Sequence, residues 1–263
     1  MKKHAWIALA LANGSNNSAH ATESAPLWEA GAGIAALTLP AYRGSDVTHN
    51  YVLPVPYLVY HGDFLKADKR GVRGQLFEND RLDLNISVSA SPPTDDDVPQ
   101  REGMPDLKPT VEFGPELDIT LWDGNADIAF LKLRLPVRQA FTVEKNPQNA
   151  GIIFSPNLNA DIRNPFGLTG WTLGVVAGPI FATERQHAYF YGVDSRYATA
   201  TRPAYEADGG YSGTQLLLSL SKRFNKLWLG AYVREDTLRG AVFADSPLVA
   251  RDQYFSRAWP CRG

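Results

Sequence analysis

The chain has 263 residues, 44% hydrophobic and 21% charged, with 26 basic against 28 acidic side chains and a net charge of −2. A mean hydropathy of −0.24 excludes a bundle of membrane helices, and the charge balance excludes an electrostatic nucleic-acid binder. One cysteine excludes an internal disulfide framework and multi-cysteine zinc sites, while 22 glycines and 18 prolines favour strands and turns over helices.

Met1 to Ala21 reads as a secretory signal. Lys2 and Lys3 supply its positive start, and Ala5 to Ala12 form an apolar run too short to span a bilayer. Ala19-His20-Ala21 matches the small-x-small cleavage pattern. The expected mature unit is a single domain over 22–263.

From there the hydrophobic period is two. Leu82, Leu84, Ile86, Val88 and Ala90 alternate with Asp83, Asn85, Ser87 and Ser89. Such spacing lines one face of a strand and scatters around a helix. Val111, Phe113, Leu117, Ile119 and Leu121 repeat it, as do Ala129 to Val137, Ile152 to Ile162, Trp171 to Phe181 and Leu227 to Val233. No segment sustains a helical period. A soluble sandwich and a membrane barrel both fit alternation. Three features favour the barrel: segments of ten residues or more, full charges on the polar faces, and aromatics gathered near segment ends.

The expected strands lie near 28–39, 51–60, 63–68, 71–77, 81–91, 110–122, 126–142, 151–163, 170–182, 210–224, 226–238 and 249–258. Short turns then share one end, the periplasmic one, and loops 40–50, 92–109, 143–150, 183–209 and 239–248 share the external end. This requires a tight turn at Asp68-Lys69-Arg70-Gly71. The fold class is an all-β transmembrane antiparallel up-and-down β-barrel of about twelve strands, with ten as the alternative.

A three-residue turn at Asp123-Gly124-Asn125 would set Glu116 opposite Lys132, with Glu112 diagonal to Arg134. Cross-strand opposite charges are worth roughly 0.2–1 kcal/mol per pair. The expected lumen charge band is Glu112, Glu116, Asp118, Lys132, Arg134, Arg138, Asp161 and Arg163. Such a band either plugs the lumen or biases solute passage, and the plug is favoured.

Seven stretches carry a family resemblance: LWEAGAGIAALTLPAYRGSD (27–46), YVLPVPYLVYHGDFLKAD (51–68), GMPDLKPTVEFGPEL (103–117), LRLPVRQAFTVE (133–144), FSPNLNADIRNPFGLTGW (154–171), YGVDSRYATATRPAY (191–205) and TLRGAVFADSPLV (237–249). They resemble the MipA/OmpV family of bacterial outer-membrane barrels, over about 27–255. The resemblance implies a bacterial outer-membrane location and contact with membrane lipid and lipopolysaccharide. It also implies a scaffold role, because one family member brings a murein-degrading transglycosylase together with a murein synthase. Alternatives carried by other members are a narrow pore for small solutes or drugs and an adhesin-like surface role. The family supplies no catalytic residues, and the expectation is a non-enzyme with no cofactor and no metal. The chain departs from the family at its end, where Tyr254-Phe255-Ser256 is followed by Arg257-Ala258-Trp259-Pro260-Cys261-Arg262-Gly263. Proline breaks a ladder, so a last strand truncated or frameshifted near residue 256, with impaired closure, is expected.

Other motifs are weaker. Gly31-Ala32-Gly33-Ile34-Ala35-Ala36 matches G-x-G-x-x-A but lies inside a strand, with no helix to bind a dinucleotide. Ser219 and Lys222 match S-x-x-K, yet residues three apart on a strand face opposite ways. His187 is the one candidate for a hydrolase histidine, against the simpler reading of a solvated loop residue. Asp95-Asp96-Asp97 is a soluble loop, or a contact for calcium or cation-bridged lipopolysaccharide. Loop 183–209 mixes aromatics with arginines, as interface hot spots do. Its expected external contacts are Arg185, Tyr189, Tyr191, Arg196, Tyr197 and Arg202, unless the loop folds into the mouth and packs on itself.

Overall fold

The computed structural model describes residues 28–61, 65–68, 71–79, 81–94, 98–124, 129–224 and 227–260. The signal segment, Lys69 and Arg70 of the expected tight turn, Asp95-Asp96-Asp97 and Cys261 lie outside these residues.

The strands are β1 (Trp28–Pro40), β2 (Thr48–His61), β3 (Leu65–Asp68), β4 (Gly71–Glu78), β5 (Leu82–Ser91), β6 (Thr110–Asp123) and β7 (Ala129–Thr142). They continue as β8 (Asn149–Phe154), β9 (Asn157–Arg163), β10 (Trp171–Ala182), β11 (Gly210–Phe224), β12 (Leu227–Thr237) and β13 (Gln253–Pro260). One helix, α1 (Glu184–Tyr191), lies between β10 and β11. All pairings are antiparallel, and β13 pairs with β12 on one side and β1 on the other, so the sheet closes on itself.

Every expected strand has a counterpart, with one division. The segment expected as a single strand over 151–163 is β8 and β9, which lie end to end between β7 and β10 in one continuous register. The break falls at Ser155-Pro156, where proline supplies no N–H to the ladder. Among the described residues, β8 and β9 fill one position in the sheet, so the thirteen strands occupy twelve positions.

The burial pattern is inverted relative to a soluble protein. Asn85, Glu116, Asp118 and Asp161 are 1–5% exposed, whereas Val88, Phe113 and Leu158 on the alternate positions are 46–47% exposed. Soluble proteins seldom bury Asp, Glu or Asn while exposing Val, Phe and Leu. The arrangement is the one required of a barrel whose outer face meets hydrocarbon and whose inner face is polar. No helix among the described residues is long and apolar enough to cross a membrane.

Two expectations are corrected. The β6–β7 register differs by four residues from the one expected: Asp118 faces Arg134, Glu116 faces Pro136, and Lys132 faces Thr120. The connection is longer than three residues, because β7 starts only at Ala129, and the register shifts by one between Thr120 and Trp122. Four is an even number, so every side chain keeps its face while its partner changes. Closure, expected to be impaired, is made by a last strand that is short. β13 runs to Pro260, and Arg257 to Pro260 make its four pairs with β1.

Candidate functional site

Two polar assemblies stand out, one on the inner wall and one at the mouth. On the wall, Arg134 of β7 donates to the carboxylates of two β6 residues, Glu116 and, through Nε at 3.3 Å, Asp118. Arg138 donates to Glu112 at 3.1 Å and reaches the hydroxyls of Ser87 and Ser155 at 3.4 and 3.1 Å. The corrected register explains both sets, since Asp118 is directly opposite Arg134 while Glu116 and Glu112 are diagonal neighbours of their arginines. Asp83 and Asn85 of β5 lie beside Asp118 and Glu116 on the same face. Further round, Asp161 faces Phe130, and the Lys132 ammonium sits 5.9 Å from the Phe130 ring centroid. Arg163 stands opposite Thr172 on β10. The residues expected as a band therefore share one face of β6, β7 and β9, and the ion pairs join β6 to β7. Buried charges persist only when paired and hydrogen-bonded, and the wall meets that condition at Glu112, Glu116 and Asp118.

The second assembly answers to the alternative in which loop 183–209 folds into the mouth, with three further loops joining it. Loops following β1, β5, β10 and β12 gather over one end, with Ala41, Tyr42, Val98, Leu107, Tyr191, Ala207, Leu238, Ala241 and Phe243 in a single apolar cluster with Tyr254. The Tyr191 ring stacks on Phe243 at 3.7 Å. Tyr191 donates its hydroxyl to the Arg43 carbonyl, Tyr42 to the Leu248 carbonyl, and Ser246 to the Tyr191 carbonyl. Burial pushes the Tyr42 phenol up to about 12 and raises Tyr191 as well. Beneath them, Asp236 of β12 lies between two guanidinium groups. Arg234 forks onto it at 2.6 and 2.9 Å, and Arg43 Nε stands 3.3 Å away while donating to the Tyr254 hydroxyl at 2.8 Å. Arg234 and Asp236 share a parity on β12, a signal that the alternation carries, whereas Arg43 comes from a loop.

Loop 183–209 contributes much of this cap. Helix α1 spans barely two turns, too short to impose a helical period on the sequence. Its start is held against β8: Thr183 accepts from the Ile152 N–H through its hydroxyl at 3.0 Å. Gly151 has φ +100°, and a Cβ there would meet the Gln186 N and the Thr183 hydroxyl at 2.5 and 2.7 Å. Only glycine allows that approach. Arg202 is buried and donates to the carbonyls of Tyr197, Gln100 and Glu102, tying this loop to the one after β5. Tyr191 is buried too. Tyr189 is half-buried and donates to the Lys108 carbonyl, Tyr197 is half-buried, and Arg185 and Arg196 are exposed.

His187 is not a solvated loop residue. It is 2% exposed on α1, with Nδ1 2.5 Å from the Asp208 carbonyl and Nε2 2.6 Å from the Ser212 hydroxyl. Ser212 is equally buried. The serine–histidine contact is closed to solvent on both sides. Ser219 is buried, whereas Lys222 lies over the Trp171 and Phe224 rings, so the S-x-x-K pair is split between faces. Gly31 to Ala36 lie within β1. Among the described residues, no group of three His, Cys, Asp or Glu side chains is placed to hold a metal ion.

At the opposite end, the turn between β9 and β10 carries Asn164 and Phe166 at φ 52° and 54°. Non-glycine residues rarely take that conformation. The Phe166 side chain is 91% exposed.

A family model described as MltA-interacting protein MipA matches residues 32–258. Outer membrane protein Omp26La of Vibrio anguillarum is 27% identical over 197 residues, which cover 72% of this chain and 69% of the relative. Outer membrane protein OmpV of Vibrio cholerae is 27% identical over 199 residues, with the same coverage. Among solved structures, a FadL homologue of Pseudomonas aeruginosa is 12% identical with a TM-score of 0.30, covering 80% of this chain and 59% of its own. The P. putida toluene transporter TodX is 11% identical with a TM-score of 0.25, covering 90% of this chain and 67% of its own. The chain thus spans less than two-thirds of that FadL homologue's length.

Proposed function

The chain belongs to the MltA-interacting protein MipA family and is an outer-membrane protein, and from that membership we propose that it is a scaffold at the boundary between outer membrane and murein. In this reading its short turns face the periplasm and hold a murein transglycosylase and a murein synthase, while its loops face outward and its apolar surface meets lipid and lipopolysaccharide. It needs no catalytic residue of its own. The observation that carries it over a solute pore is the inner wall of β5, β6, β7 and β9. Its carboxylates are almost fully shielded, and Glu112, Glu116 and Asp118 are locked to arginines. A conduction path needs polar groups that water and solute can reach, and Glu112, Glu116 and Asp118 spend theirs on Arg134 and Arg138. The family's description names an interaction with MltA, and small periplasmic turns suit a weak or multivalent contact.

Phe166 is the natural anchor on that side. Buried aromatics dominate interface energies, and this one is presented on a strained turn. Phe166→Ser is expected to weaken capture of a murein transglycosylase by detergent-solubilised barrel at least tenfold, with heat-modifiable migration unchanged. Equal capture by the variant removes the turn from the contact. Sustained ion-selective conductance of the wild-type barrel in planar bilayers, with no capture of either murein enzyme, overturns the scaffold reading in favour of a pore.

A further inference from the structure

We propose that His187 is an acid-sensitive latch on the mouth cap: uptake of a proton by its ring releases α1 and the loop after β12, and uncovers the external end of the barrel. The hydrogen bonds fix one of its two nitrogens, and burial beside a cation sets the other. A carbonyl oxygen can only accept, so Nδ1 carries a hydrogen and donates to Asp208. In the neutral ring Nε2 holds a lone pair and accepts from the Ser212 hydroxyl. The ring is neutral and uses both of its polar atoms. A second proton lands on Nε2, and the Ser212 hydroxyl must then accept from the ring and turn its own hydrogen to the Gly210 carbonyl, a long contact at 3.5 Å.

The surroundings do not suit the new charge. The Phe243 ring meets the imidazole at 4.6 Å in an edge arrangement. The charged and titratable groups around it are Tyr191 on its own helix, Arg43 from the first mouth loop, and Asp208, which offers its carbonyl. Across Arg43 lie Asp236 and Arg234 of β12 and Tyr254 of β13. Among the described residues no carboxylate pairs with the ring, and the charge it feels is that of Arg43, a cation. Burial first, then Arg43, holds the imidazole below its ordinary value, against the opposing pull of the Asp208 carbonyl. A depressed value fixes the sign: the latch is fully engaged above the ordinary imidazole pKa of about 6.5. It weakens as pH falls through the lowered value.

The position makes a local event travel. His187 joins α1 to the start of β11 through Ser212 and to the loop after β12 through Phe243. One turn further on, Tyr191 stacks on the same phenylalanine and holds the first loop through the Arg43 carbonyl. Three loops therefore share one buried contact.

The test is limited thermolysin cleavage of the barrel in micelles at pH 7.5 and pH 5, with rates normalised to an unstructured peptide at each pH. Wild type is expected to be cut in 183–209 at least tenfold faster at pH 5. His187→Gln, whose amide can donate to Asp208 and accept from Ser212 without titrating, is expected to show equal rates. No acid acceleration in wild type, or full acceleration retained in H187Q, overturns the latch. If H187Q does not assemble, the ring resonances of selectively labelled wild-type His187 decide. They titrate over the range in which the loop opens, or the latch is wrong. None of these readouts involves a murein enzyme, so the scaffold reading can fail without touching the latch.

Discussion

Arg134→Met is expected to be among the most damaging single changes to the barrel, costing about 3–5 kcal/mol in urea unfolding followed by tryptophan fluorescence in micelles. Arg134 is the cation that both Glu116 and Asp118 meet, and each of those carboxylates is almost wholly shielded. Methionine matches the length of the arginine stem, so packing is largely kept while the charge is lost. Two acids then face each other on neighbouring positions of β6, with Asp83 directly opposite Asp118 on β5. Adding Glu116→Gln and Asp118→Asn to Arg134→Met is expected to recover most of the loss, because uncompensated charge is the main penalty in the single variant. No recovery in the triple variant would mean that the arginine acts by shape. Arg196→Ala supplies the contrast: its ion pair with Asp194 is exposed, and the unfolding midpoint is expected to stay where it is.

The same residues show how much of the wall was legible in sequence. Alternation places Glu112, Glu116 and Asp118 on one face and Phe113 and Leu117 on the other, whatever the pairing. A four-residue change of register leaves that unaltered. Which acid meets which arginine depends on where β7 resumes and on the irregularity after Thr120, and neither leaves a mark in the hydrophobic pattern. The interruption at Pro156 was readable in principle, since proline cannot extend a ladder. The cap was readable only as one alternative for loop 183–209, without its partners. Tyr42, Tyr191 and Phe243 come from three loops separated by most of the chain, and loops carry no period to reveal that they meet. His187 illustrates the cost: an isolated loop histidine looks solvated until tertiary structure encloses it.

Phe243→Ala is expected to dissolve that enclosure while leaving the barrel standing. Phe243 is fully buried, with Tyr191 on one side and His187 on another. Removing a buried phenylalanine typically costs 3–5 kcal/mol. Here the loss falls on loops that can open by themselves, because the strands beneath are held by ladders and by the Arg134 and Arg138 pairs. Hydrogen exchange should therefore show α1 amides losing protection a hundredfold or more at neutral pH, with β6 and β7 unchanged. Phe255→Ala, on the outward face of β13, should leave α1 protected. If the cap is merely peripheral, both variants will leave α1 as it was. If it is integral to assembly, Phe243→Ala will lose β6 and β7 protection too. Selective loss in α1 alone makes the mouth an independent opening unit. Such a unit is what a buried histidine would need in order to act on the mouth without unfolding the barrel wall.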